Sequence, residues 1–124
     1  MLLERENVNP RTRDKSGRTP LSWGAEDGHE GYVSMLLQRN DVSPNTADKR
    51  GQTPISLAVK NRNERIVKVP LERKDLDPNS RDKSGRTSLS WAAGAWAERS
   101  VAMLLKRNHV NPRTADKSGR TPFS

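Results

Sequence analysis

Apolar residues in this chain occur in short groups at helical spacing, separated by polar turns. After Pro20 the pattern predicts a short first helix that stops at Gly28, a residue suited to a left-handed turn. A second helix is predicted from about Glu30 to Arg39, followed by a proline-containing loop over residues 40–46. The apolar stripe of that second helix consists of Val33, Leu36 and Leu37. The pattern therefore predicts pairs of short helices joined by loops.

Turn chemistry precedes the first predicted helix. Asp14 and Gly17 are typical of a tight turn, because Asp bonds its own backbone and Gly accepts a positive φ. Thr19 is suited to the N-cap position, and Pro20 to the first helical position, where a missing N–H costs nothing. Together these residues predict a turn that leads directly into a capped helix.

The same turn and helix start recur every 34 residues, at Asp14, Asp48, Asp82 and Asp116. Residues 7–40 and 75–108 share about 19 of 34 positions, which indicates a stack of similar units rather than separate globular modules. We predict three full units and two partial ones. Their expected bounds are 1–13 (the end of a truncated unit and its loop), 14–47, 48–81, 82–115 and 116–124 (the start of a truncated unit).

One unit resembles the ankyrin repeat almost position for position, through Gly17-x-Thr19-Pro20-Leu21-x-x-Gly24-Ala25-x-x-Gly28-His29-x-x-x-Val33-x-x-Leu36-Leu37. Tetratricopeptide repeats share the 34-residue period but lack this turn-Gly-x-Thr-Pro motif. The family's usual His after Thr-Pro-Leu is Ser here, at residues such as Ser22, whose hydroxyl can bond the capping Thr. The Ser-Trp-Ala-Ala style of the copies is similar to the ankyrin arrays of large fungal multidomain receptors. The resemblance implies an all-α solenoid of antiparallel helix pairs with projecting β-turn fingers, and a non-catalytic scaffold that binds other proteins.

Composition raises a competing interpretation. Leu, Ile, Val and Phe make up roughly 18% of the chain and the net charge is +8, a combination typical of disorder. A basic, largely unfolded chain that binds polyanions or nucleic acid non-specifically is therefore the alternative function. A solenoid answers this objection, because each unit buries its faces against its neighbours and needs no large central core.

Three positions conflict with the repeat pattern. Pro70 takes the place of Leu36 inside a second helix, so that helix is expected to kink or end near Val69. Arg62 and Trp96 take the place of Gly28, where a side chain is unfavourable by about 1 kcal/mol. The first helix of the third unit is therefore expected to end differently from the other first helices, with Trp96 covering apolar surface.

The two ends and the missing residue types bear on origin and location. The chain starts within a second helix and stops as a first helix begins, so we expect a fragment of a longer array. It has no cysteine, no signal-peptide core and no stretch long enough to span a membrane, which favours an intracellular cytoplasmic or nuclear location.

Candidate chemistry is sparse. His29 lies at the Gly-His turn and has no second histidine at metalloprotease spacing, which favours a structural role. The recurring aspartates follow the unit period and are interpreted as architecture rather than as a metal site. No serine has a paired base at a recognisable spacing. We therefore predict no enzymatic activity, no metal and no cofactor.

The resemblance places partner contacts on the finger tips and on the inner face of the first helices. The implied positions are Lys15, Ser16, Arg18, Trp23, Glu26, Asp27, Lys49, Arg50, Gln52, Leu57, Lys60, Asn61, Lys83, Ser84, Arg86 and Trp91. Trp23 and Trp91, with Leu57 between them, either pack between units or form an exposed ladder of partner-binding residues. Basic fingers favour an acidic protein surface, with simply solvated fingers as the alternative. Nucleic acid is disfavoured, because the cations alternate with Asp and no stacking aromatics accompany them.

Overall fold

The computed structural model describes residues 11–107 and 110–123. In that part of the chain the regular elements are helices: α1 (Pro20–Asp27), α2 (Glu30–Leu37), α3 (Pro54–Lys60), α4 (Glu64–Leu71), α5 (Ser88–Gly94) and α6 (Glu98–Lys106). The predicted all-α fold is confirmed. The second helix expected at the start of the chain lies outside the described residues. No helix in the described ranges is long and apolar enough to cross a membrane.

Each first helix starts at a threonine cap, as the turn chemistry predicts. The Thr19 side chain accepts a hydrogen bond from the Ser22 N–H at 3.3 Å, and Thr53 and Thr87 cap α3 and α5 in the same way. The serine hydroxyls also reach the capping threonines, with Thr19 Oγ1 and Ser22 Oγ 3.3 Å apart. The serine hydroxyl therefore makes the predicted hydrogen bond with the capping threonine.

The helices form two rows. The inner row consists of α1, α3 and α5, and the outer row of α2, α4 and α6. Each inner helix contacts the outer helix that follows it, and each row is continuous because neighbouring helices of the row touch. This is the arrangement of a stacked solenoid, in which a unit buries its faces only against adjacent units.

The core runs through the stack as layers of equivalent residues. Leu21, Ile55 and Leu89 occupy the same place in successive inner helices, and all three are buried. Val33 and Val67 repeat this in the outer row. The buried apolar residues other than Leu57 form one connected cluster, so modest apolar content is enough to build a continuous core. The largely unfolded chain that composition suggested finds no support in this arrangement.

Arginines at the ends of the outer helices connect successive pairs. The Arg73 guanidinium donates to the Leu37 carbonyl oxygen at 2.9 Å, and Arg107 donates to the Leu71 carbonyl oxygen at 2.6 Å. These carbonyls lie at helix C-termini and have no partner within their own helix. The arginines therefore satisfy them across the junction between units and help to hold the stack.

The turn after each inner helix is left-handed in all three pairs. Gly28 has φ 81°, as predicted, while Arg62 and Trp96 have φ 58° and 55°. The expectation that α5 would end differently, with its tryptophan covering apolar surface, is wrong: the Trp96 side chain is 86% exposed. The backbone keeps this left-handed turn because it allows the Ala97 N–H to donate a hydrogen bond to the Ala92 carbonyl oxygen, at 3.0 Å, just ahead of α6.

Replacing Trp96 by glycine is expected to raise the free energy of unfolding by about 1 kcal/mol, since it removes the cost of a positive φ at a bulky residue. Little burial is lost, because the indole is exposed. Urea unfolding followed by circular dichroism measures the change. Gly28→Ala, the reverse change at the equivalent turn, is expected to lower stability by a similar amount. Destabilisation by Trp96→Gly would show that the indole does pack on the protein in solution.

Two helix ends differ from the sequence prediction. α4 continues through Pro70 to Leu71, beyond the end expected near Val69. Pro70 lies one residue before the helix end, so only the last turn of α4 is affected, and its ring is buried at the position that leucine takes in α2 and α6. α2 ends at Leu37 rather than near Arg39, because the Arg39 N–H already turns back to the Leu36 carbonyl oxygen.

Candidate protein-interaction surface

Four finger turns project beside the inner helices, at residues 14–18, 48–52, 82–86 and 116–120. In the first finger, Asp14 Oδ1 accepts the backbone N–H groups of Ser16 and Arg18 at 2.9 and 3.0 Å. The aspartates of the other three fingers accept the equivalent pair of N–H groups. The recurring aspartates thus build the fingers, as predicted. Among the described residues, no group of three or more possible ligands could hold a metal ion.

Neighbouring fingers are joined through their backbones. The Lys49 N–H donates to the Ser16 carbonyl oxygen at 2.9 Å, and the Lys83 N–H to the Arg50 carbonyl oxygen at 3.0 Å. The Lys117 N–H continues the series to the Ser84 carbonyl oxygen at 3.0 Å. The finger tips therefore form one row, and a partner that contacts one finger meets its neighbours as well.

The two inner-helix tryptophans are tied to their own fingers. Trp23 Nε1 donates to Asp14 Oδ2 at 2.6 Å, and Trp91 Nε1 donates to Asp82 Oδ2 at 2.8 Å. An arginine of the same finger lies over each indole, with Arg18 4.6 Å from the ring centroid of Trp23. Cation–π contact and the indole hydrogen bond both fix the ring against the finger. These rings are part of the finger's support, and Trp23 remains 41% exposed.

The aspartates of the first and third fingers are held in their charged form. The Ser16 hydroxyl, followed by the Arg18 N–H and the Trp23 indole, lowers the pKa of Asp14 to about 2, against the effect of partial desolvation. Burial acts to raise the pKa of Asp82, but the Ser84 hydroxyl and the other donors outweigh it and lower the value overall. These carboxylates are therefore committed to the finger rather than available to a ligand.

Most of the predicted contact residues lie on this surface. Ten are exposed: Lys15, Ser16, Trp23, Asp27, Lys49, Arg50, Lys60, Asn61, Lys83 and Ser84. Four are half-buried: Arg18, Glu26, Arg86 and Trp91. Asn61 donates to the Glu26 carbonyl oxygen at 3.3 Å and so also links two inner helices. Participation of these residues in binding stays a prediction.

Two predicted contact residues are not on the surface. Leu57 is 2% exposed and Gln52 is 5% exposed, so the expectation that they face a partner is wrong. Leu57 is smaller than the tryptophan found at the equivalent position, and it lies beneath the surface where the indoles reach out along the fingers. The supposed ladder is therefore interrupted at its middle position.

Sequence reasoning missed two functions of residues that it had identified. The aspartates of the first and third fingers accept the indole N–H nine residues later, and Lys60 lies with its Nζ 4.7 Å from the Trp91 ring centroid. The first carries no signal in the sequence, since Asp48 is kept in the finger that has Leu57 in place of Trp. The joint change to Gln52 and Leu57 instead indicates the pairing of arginine with the indole. The second depends on how two inner helices stack, for which the sequence carries no local signal.

Stacked helix pairs with a continuous row of fingers define a repeat protein of the solenoid class. A family model described as ankyrin repeats (three copies) matches residues 1–82. This chain belongs to the ankyrin repeat family, whose repeats are generally non-catalytic modules of protein–protein interaction. A comparison with curated proteins finds no match.

Proposed function

We propose that this chain is a non-catalytic interaction module that binds an acidic surface of another protein through its row of fingers and the adjoining inner helices. The proposal rests on which charged groups of the fingers are bonded within the finger and which are exposed. In the sequence the finger cations alternate with aspartates, but the aspartate carboxylates bond backbone N–H groups of their own fingers and, in the first and third fingers, an indole N–H. The outward charge of the fingers is therefore positive.

The exposed finger cations include Lys15, Lys49, Arg50, Lys83 and Lys117. None of these forms an ion pair with another described residue. Unpaired cations along a rigid row attract a surface of opposite charge and speed its association. The aromatic rings nearby are covered by arginine, which leaves them poorly placed to stack on nucleic-acid bases.

A position-dependent cross-linking experiment tests the proposal. A photoreactive phenylalanine analogue replaces Lys49 at a finger tip or, as a control, Lys68, an exposed lysine on outer helix α4. The two variants lose the same charge. In cells, position 49 is expected to yield defined adducts with other proteins, and position 68 few or none. Equal adducts from both positions, or nucleic-acid adducts from position 49, would contradict the proposal.

A further inference from the structure

Two cations, one from a finger and one from the preceding inner helix, converge on one indole. The Arg86 guanidinium lies 4.3 Å from the ring centroid of Trp91, and Lys60 Nζ lies 4.7 Å from the same centroid. Arg86 belongs to the third finger, whereas Lys60 is the last residue of α3. Like charges gathered at one place repel each other, so the cluster gains stability from a nearby anion.

The equivalent cluster in the first finger contains its own anion. Arg18 lies over Trp23, and the Glu26 carboxylate, three residues further along α1, forms an ion pair with the Arg18 guanidinium. Arg18 Nε also donates to Asp48 Oδ2 of the next finger at 3.2 Å. The first cluster is thus neutralised from within the chain.

The cluster around Trp91 lacks that anion because glycine takes the place of the glutamate. Gly94 stands where Glu26 stands in α1, and a Cβ atom built on Gly94 would lie 3.4 Å from Arg86 Nη2. A side chain starting at this position would therefore point at the guanidinium. The Glu26 side chain lies beside Arg18, whereas the equivalent position beside Arg86 is Gly94, which has no side chain.

The charges of this cluster are poorly compensated by the rest of the described chain. Within 4.0 Å of the Arg86 guanidinium the described residues offer one carboxylate, Asp116, at 3.9 Å from Nε. Arg86 Nε is itself buried and has no hydrogen-bond partner among the described residues. Lys60 has no carboxylate within 4.0 Å in the same part of the chain. A buried polar atom without a partner is unfavourable, and an incoming anion near the cluster relieves the excess charge.

We propose that the space bounded by Lys60, Arg86 and Gly94 is a docking position for a carboxylate side chain, an aspartate or glutamate of the protein partner. The proposal rests on the interaction function proposed above and assigns one contact within it. The partner carboxylate takes the place that Glu26 takes in the first cluster. It accepts hydrogen bonds from the Arg86 guanidinium and lies within the field of the Lys60 ammonium group.

The indole N–H resonance of Trp91 in ¹⁵N-labelled protein provides a local readout. A short oligoglutamate peptide is the probe, and an oligoglutamine peptide of the same length is the uncharged control. The oligoglutamate is expected to shift the Trp91 resonance saturably and to leave that of Trp23 nearly unchanged. Arg86→Gln, which copies Gln52, is expected to weaken peptide binding about tenfold.

Two reciprocal substitutions exchange the properties of the clusters. Gly94→Glu supplies the missing carboxylate and is expected to weaken peptide binding about tenfold, whereas Ala95→Glu adds the same charge one residue away and weakens it less. Glu26→Gly opens the first cluster, so that the Trp23 resonance begins to respond to the peptide. A thermal melt by circular dichroism checks that each variant remains folded.

Three results would overturn the docking position. These are shifts spread evenly over the fingers, no shift at Trp91, and a stronger shift at Trp91 with an oligothymidylate of the same length. None of these three results would reject the broader interaction function, which is tested by protein adducts from position 49 and not by this peptide. Loss of those adducts together with a normal Trp91 response would instead reject the interaction function and leave an anion site without that role.

Discussion

Replacing Pro70 by leucine is expected to raise the free energy of unfolding by about 2 to 3 kcal/mol. Pro70 has no N–H to donate to the Ile66 carbonyl oxygen, so the last turn of α4 lacks one bond that leucine restores. Leucine fits the site, since Leu36 and Leu104 occupy the equivalent positions in α2 and α6 and are buried. The repeat thus already shows which residue the position accommodates.

Urea unfolding measures this effect as a higher midpoint with an unchanged dependence on denaturant. The matched control is Leu36→Pro, which places the same defect in α2 and is expected to lower stability by at least as much. Because units are stabilised by their neighbours, repairing the middle outer helix also favours a single unfolding transition. An unchanged midpoint in Pro70→Leu would mean that the leucine cannot pack in α4 as it does in α2 and α6.

Replacing Leu57 by alanine is expected to lower the free energy of unfolding by about 2 to 4 kcal/mol, the usual cost of truncating a buried leucine. The side chain is 2% exposed and belongs to α3, which packs on both α1 and α5. Its truncation is therefore expected to weaken the packing of α3 within the inner row. Unfolding in urea, followed by helical circular dichroism, gives the value directly.

Lys68→Ala, an exposed substitution on the neighbouring helix α4, is the control and is expected to change stability by less than about 0.5 kcal/mol. The experiment also separates the two interpretations of Leu57. A residue in an exposed ladder would lose partner binding with little change in stability, whereas a buried residue loses stability first. An unchanged unfolding curve would therefore restore the ladder that the sequence suggested.

Local rules were sufficient where one unit contains all the partners. The Asp14 turn, the Thr19 cap and the left-handed stop at Gly28 each involve residues a few positions apart, and all three are present as predicted. These three features depend on backbone geometry that a short sequence specifies. The positive φ at Trp96 was not predicted, because the turn stays left-handed there although a side chain is unfavourable.

Prediction was weaker where two units meet. Leu57 lies between two tryptophans in the pattern, yet its shorter side chain is buried while Trp23 is partly exposed. The convergence of Lys60 and Arg86 on Trp91 joins a helix end to the following finger. No periodicity within a unit indicates this contact, since it requires the relative position of two inner helices.

The 34-residue period, the turns, the caps and the apolar stripes identified the repeat and its helix pairs from sequence alone, because they are set by neighbours along the chain. Stacking of the units decided the rest: the burial of Gln52 and Leu57, the approach of Lys60 to the Trp91 ring, and the ion pair of Arg18 with Asp48 of the next finger. The physical reason is that exposure and charge compensation depend on atoms about one repeat away in sequence. Their distances are fixed only when adjacent helices pack.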